Sequence, residues 1–284
     1  WPADAAAPKE RPMPDDLVLT EELEPGIVLV TMNRPDRLNA MSQGLIAALH
    51  ETFARLGVDR DVRAIVLTGA GRGFCSGADL KGGDGERGAP GTEEMGETAR
   101  LLVTQEHIAS LHERIHRLRQ PVIAAVNGAA VGGGFALALA CDVRYAATTA
   151  KFGAVFINVG VSACDMGTSY FLPRLVGASR AAELMLTGRV FDAAEAREMD
   201  LVLDVVEPGA LIDRCMVTAR QIAGHSPLAS WMTKETMWQT IDAPSLRHAL
   251  DMENRTQIMC TATGELSEAF EAFREGRPPV WKPL

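Results

Sequence analysis

The chain has 284 residues, 47% of them hydrophobic, and a formal net charge of -9. That length and composition support a sizeable core, in one large domain or one domain with an appendage. The acidic balance argues against nucleic acid as a partner, because nucleic acid needs a basic surface. A small anionic ligand stays possible, since a few local Arg or Lys side chains suffice to hold one. The five cysteines, Cys75, Cys141, Cys164, Cys215 and Cys260, form no CxxC pair. They fit a reducing compartment without a disulfide framework, so a cytoplasmic location is expected. Residues 1–12 carry neither a secretory nor a transit pattern and read as a loose leader.

In chain order, residues 17–35 read as two strands around a Pro-Gly turn. Residues 42–59 have helical apolar spacing, with Ser42 as N-cap. Residues 64–70, AIVLTGA, form a short buried strand that runs into GRGFCSGADLK. Residues 82–96 hold six glycines and a proline and read as a mobile loop of the kind that gates sites. A helix then reaches about Leu118. From Pro121 to Cys141 there is no charge for 21 residues, the length of a membrane span. Pro121, Asn127-Gly128 and the glycines at 132–134 break that run, so it reads as a buried strand, a turn and a buried helix, and no span is expected. A strand at 142–149 follows. Helices dominate from about 167, with one more strand at 201–206 and helix after helix over 209–276.

Two glycine turns carry the first chemical signal. Gly77-Ala78 and Gly132–Gly134 each join an apolar strand to a helical start. Backbone N–H groups at a helix start lack intrahelical partners and attract anions, and glycine lets a ligand approach. Two such turns face to face would supply an oxyanion hole; singly, each also reads as close helix–strand packing. Neither completes a nucleotide-binding loop. HERIH at 112–116 matches HExxH and raises a zinc hydrolase, but no third ligand follows it, so no metal is expected. Asp165 stands within the apolar stretch VGVSACDMGTSYFL and is either a general acid/base, less readily a nucleophile, or the N-cap of a helix starting at Met166. Cys164 reads as a small buried thiol.

NRPDRLNAMS (33–42), GRGFCSGADLK (71–81), PVIAAVNGAAVGGGFALALACDVRYA (121–146) and LTGRVFDAAEAREMDLV (186–202) together resemble the crotonase, or enoyl-CoA hydratase/isomerase, superfamily. The resemblance implies an α/β fold, a spiral of ββα units with a C-terminal helical subdomain. We place the spiral core at 13–206 and the helical assembly region at 207–284. It also implies a homotrimer or homohexamer. The implied ligand is an acyl-CoA thioester, with coenzyme A entering as part of the substrate and no permanently bound cofactor. The implied oxyanion donors are the Ala78 and Gly133 N–H groups. Arg37, Leu38 and Ala40 resemble the segment that cradles the adenine end of CoA. Asp79, Leu80 and Lys81 continue the strip along the thioester, and Lys282 resembles a basic residue that reaches a neighbour's CoA phosphate.

The departures bear on the reaction. Where hydratases of this family carry two glutamates, the chain has Ala136 and Phe156, the latter expected to take part in substrate binding. CDMGTSYFLPRL resembles a segment in which dienoyl-CoA isomerases and 4-chlorobenzoyl-CoA dehalogenases carry an Asp, after a one-residue gap. These dehalogenases have a Trp near the position of Phe156, and the dienoyl isomerases have two further carboxylates. Isomerase-like proton transfer by Asp165 is therefore favoured over hydration. The alternatives are an acyl-CoA-binding protein without turnover and, last, the zinc hydrolase.

Overall fold

A computed structural model of the protein describes residues 17–79, 89 and 91–283. The loose leader, Leu80, Lys81 and most of the glycine loop lie outside the described residues. Val18–Glu24 (β1) and Ile27–Met32 (β2) form an antiparallel hairpin, turning at Gly26 with φ +79°. Ser42 caps Gln43–Val58 (α1), its hydroxyl accepting from the Leu45 N–H at 3.2 Å, as the spacing predicts. Then come Ala64–Gly69 (β3), Gly73–Cys75 (β4), Glu97–Arg117 (α2), Val122–Val126 (β5), Ala129–Val131 (β6), Gly133–Ala140 (α3), Val143–Ala147 (β7) and Lys151–Gly153 (β8). Thr168–Val176 (α4), Ala178–Thr187 (α5), Phe191–Asp192 (β9), Ala193–Glu198 (α6) and Val205–Val206 (β10) precede four closing helices. These are Leu211–Ala223 (α7), Pro227–Thr240 (α8), Leu246–Thr261 (α9) and Glu265–Glu275 (α10).

From β3 to β8 successive strands alternate between two sheets. One sheet has the order β1-β2-β3-β5-β7-β10 and the other β4-β6-β8-β9. Each pass of the chain thus lays one strand in the larger sheet and the next in the smaller. β3, β5 and β7 are mutually parallel, as are β4, β6 and β8. This is the ββα spiral that the motifs imply.

Period-two alternation sorts the strand side chains between two cores. Ile65, Leu67, Val122, Ala124 and Val126 enter the main core. Ala64, Val66, Ile123 and Ala125 enter a second core, which Leu211, Cys215, Met216 and Ala219 of α7 cover. The uncharged stretch at 121–141 divides into β5, β6 and α3. Among the described residues no helix is long and apolar enough to cross a membrane. The strand expected at 201–206 shortens to its last two residues, because Leu201 and Val202 turn into the main core instead of pairing.

Candidate active site

The segment after β2 folds back on itself. Leu38 and Asn39 both take left-handed backbone, with φ 49° and 55°. The buried Asn39 side chain holds this turn: its Oδ1 accepts from the Arg34 N–H at 2.8 Å and its Nδ2 donates to the Ala70 and Gly73 carbonyls. The strip 38–41 then runs beside 76–79. Ser76 N–H donates to the Leu38 carbonyl, Met41 N–H to the Gly77 carbonyl and Asp79 N–H to the Met41 carbonyl. The Arg34 guanidinium ties both strips, pairing with Asp79 at 2.7 Å and donating to the Ala40 carbonyl. Arg37 and Ala78 are exposed and Ala40 is buried.

Gly77, with φ +83°, and Gly132, with φ +55°, meet. A Cβ on Gly77 would lie 2.8 Å from the Val131 carbonyl oxygen and 3.4 Å from the Gly133 nitrogen. Neither the Ala78 nor the Gly133 N–H has an acceptor among the described residues, and Gly133 opens α3, where first-turn donors have no partner in the helix. The two turns singled out from sequence are thus adjacent, with unengaged donors. Gly134 answers to packing: a Cβ there would stand 1.9 Å from the Cys75 carbonyl oxygen.

The third component is the loop that carries Asp165. Helix α4 starts at Thr168, with Gly167 at its N-cap and no side-chain capping bond. Asp165 is therefore not a cap, and the helix start expected at Met166 moves two residues on. Met166 and Gly167 are both left-handed, with φ 48° and 83°, and the Thr168 N–H donates to the Asp165 main-chain carbonyl. This double left-handed turn sends the Met166 thioether to Gly133, 3.1 Å from where a Cβ would stand. The Asp165 carboxyl is half-buried and accepts from the Gln105 side chain of α2. Burial pushes it above the ordinary carboxylate value, while hydrogen bonds from the Met166 backbone and Gln105 pull the other way.

The model of the enoyl-CoA hydratase/isomerase family matches residues 22–283. The chain belongs to that family. It is 42% identical over 266 residues to a probable enoyl-CoA hydratase of Mycobacterium leprae, covering 93% of this chain and 90% of the relative. The structure superposes on a probable enoyl-CoA hydratase/isomerase of Mycobacterium abscessus with a TM-score of 0.87 and 41% identity, over 94% of this chain and 98% of the other. A monofunctional enoyl CoA isomerase from M. smegmatis gives a TM-score of 0.70 at 42% identity, over 83% and 98% of the two chains.

For this enoyl-CoA hydratase/isomerase family member, the two positions at which the resemblance implies glutamates are apolar and enclosed. Ala136 is fully buried within α3. Phe156 is 8% exposed, and its ring edge comes within 3.9 Å of where a Gly132 Cβ would stand. Neither side chain can carry a proton. Lys282, for which the resemblance implies a neighbouring subunit's CoA, donates its ammonium within its own chain to the Thr263 carbonyl ahead of α10 at 3.0 Å.

Both histidines of HERIH have other tasks. His112 is buried, its ring nitrogens facing the Ile108 and Gly133 carbonyls, and burial lowers it to about 4. His116 sits edge-on to Phe171 and Trp238. Among the described residues no three His, Cys, Asp or Glu side chains cluster as a metal site requires. Cys164, read as a buried thiol, is exposed, because the loop before Asp165 runs over the surface with Val159 and Val161 exposed too. The contact that sequence reasoning missed is Gln105, whose partner is 60 residues away and leaves no local pattern.

Proposed function

We propose that the chain is an acyl-CoA-processing enzyme that shifts a double bond, with the thioester oxygen held between the Ala78 and Gly133 N–H groups and Asp165 as acid/base. The observation that carries this reading is the Asp165 loop. Its carboxyl is half-buried and the thioether of the next residue lies 3.1 Å from where a Gly133 Cβ would stand, whereas Ala136 and Phe156 offer no titratable group. In the step we envisage, the Asp165 carboxylate takes a proton from C2 of a 3-enoyl thioester. The electron pair moves onto the carbonyl oxygen, where the two N–H donors stabilise the charge. Return of the proton to C4 re-forms the carbonyl and leaves the double bond between C2 and C3. Atoms balance without water or a bound cofactor, and coenzyme A takes part only as the carrier of the acyl group. Arg37, Leu38, Ala40 and Asp79 border the same turns and fit the CoA arm of this reading.

The test is a paired assay. Isomerisation of a 3-enoyl-CoA such as 3-hexenoyl-CoA should exceed hydration of crotonyl-CoA by roughly 100-fold, the contribution of one well-placed acid/base. Fast hydration with no isomerisation would overturn the assignment, and binding without any turnover would favour a non-catalytic acyl-CoA-binding protein. Gly133→Pro sharpens the test. Gly133 is the first residue of α3, a helix position that proline takes readily, and the change deletes its N–H, although the new Cβ would stand 2.7 Å from the Met41 sulfur and that side chain must move aside. Turnover should fall on the order of 10²–10³-fold.

Assembly into a trimer or hexamer belongs to the same proposal. Phe270 and Phe273 on α10 are 62% and 85% exposed, apolar surface that a neighbouring subunit would cover. Light scattering on the purified protein reads the mass; a monomer at assay concentration would remove this part.

A further inference from the structure

Gln105 lies on an exposed stretch of α2, yet its Nε2 donates to Asp165 Oδ1 across 60 residues of sequence. Apart from the Met166 backbone, no other group engages that carboxyl among the described residues. The titratable groups nearest it in sequence on the two elements are Glu106 and His107 on α2 and Cys164 on the loop. The geometry has a chemical consequence. A half-buried carboxylate with no side-chain partner turns between rotamers, whereas a donor fixed to one oxygen selects one of them. A primary amide neither gives up nor takes a proton at these pH values. Its N–H favours the ionised carboxylate over the neutral acid.

Resting on the acid/base reading of Asp165, we propose that Gln105 is a positioning residue for the reaction: its amide holds Oδ1, presents Oδ2 to the substrate, and keeps the resting group a base, so that proton abstraction comes first. Gln105 is not a catalytic residue, since it acts only through Asp165. Nothing in its surroundings asks for it as a structural element. Its side chain is exposed, and water can replace it without leaving a buried polar group unpaired.

The experiment uses the full chain with a 3-enoyl-CoA. Gln105→Met keeps the length and removes the donor; Gln105→Glu keeps the shape and places a like charge beside Asp165. Both should retain the wild-type melting temperature and a similar KM. In Gln105→Met, kcat should fall by about tenfold, the loss expected for a hydrogen bond to a charged group. Asp165 must be ionised to accept the proton, so activity is lost as pH falls through its titration. Loss of a donor to the charged form raises that titration. The acid limb of kcat/KM should therefore move up by roughly one pH unit in Gln105→Met and further in Gln105→Glu. A carbon-13 titration of the Asp165 carboxyl in both proteins reads the same contact with no substrate present. An unchanged titration and unchanged kcat in Gln105→Met, beside an inactive Asp165→Asn, would overturn the positioning role and leave the Asp165 reading standing. Normal turnover in Asp165→Asn would remove the reading and this inference together.

Discussion

Asp165→Asn is expected to lower kcat by a factor on the order of 10²–10⁴, with KM and the fold retained. The asparagine has the same shape, and its side-chain oxygen can still accept from Gln105, so the loop has no reason to move. What disappears is the capacity to hold a proton. The architecture makes this change easy to interpret. Helix α4 begins at Thr168 behind Gly167, so a loss of rate cannot be traced to a lost cap. Stability supplies the second half of the signature. Burial raises the Asp165 carboxyl in the folded state. A raised group lends stability below its unfolded value and loses it as pH rises through the folded one. At neutral pH the ionised carboxylate is therefore a cost that asparagine avoids. The variant should melt no lower than wild type at neutral pH, and its relative advantage should shrink in acid. Steady-state kinetics with thermal melts at both pH values decide the matter. Full turnover in the variant would remove Asp165 from the reaction. A large fall in melting temperature would make it structural.

Elements with a period and a cap were legible in the chain. Ser42 announces α1 because its hydroxyl replaces a missing helical acceptor, and the run at 64–70 announces β3 because a strand between two cores is apolar throughout. The smaller sheet was not legible. β4, β6 and β8 have three residues each, too few to show alternation, and they exist because the neighbouring passes of the spiral pair with them. The candidate site divides the same way. Glycine turns after strands are local signals, and both were found at Gly77 and Gly132. Asp165 is visible as a carboxylate in apolar sequence, where acid/base and helix cap both stay open, and of the two the cap does not hold. The helix start depends on two successive left-handed residues, and a non-glycine such as Met166 rarely takes that backbone unless tertiary contact holds it. Here Met166 packs against the main core, its thioether close to the space over Gly133. Gln105 was out of reach altogether, since an exposed glutamine on an amphipathic helix resembles any solvated residue until the fold brings Asp165 beside it.

Lys234→Met is expected to destabilise the protein by about 3–5 kcal/mol, the cost of leaving a buried charge without its partner. Lys234 on α8 pairs with Asp142 at 2.7 Å, with side chains only 6% and 11% exposed. Its ammonium also donates to the Gln120 carbonyl at 3.2 Å. Asp142 in turn accepts from the Val122 N–H at 2.8 Å and from the Trp238 indole at 3.3 Å. This network joins a C-terminal helix to the start of β5, one of the two central strands of the larger sheet. Methionine fills the lysine's volume, so no large cavity opens, and the loss is electrostatic. For a chain of this size it corresponds to a fall in Tm on the order of 10 °C. Removing the charge from both sides separates this account from one based on packing. The pair Lys234→Met with Asp142→Asn keeps an acceptor for the Val122 N–H, gives up the one that faces the Trp238 indole and leaves no buried ion, so it should recover part of the lost stability. A double variant as unstable as Lys234→Met alone would show that the ammonium acts through its carbonyl contacts and packing. The effect should also reach the site. Trp238 packs edge-on to Phe171 and His116, and the Phe171 ring would lie 2.8 Å from a Cβ on Gly167, the residue that closes the Asp165 turn. Releasing α8 loosens the wall behind that turn. The single variant should therefore lose activity below its melting transition, and the double variant should regain activity together with stability.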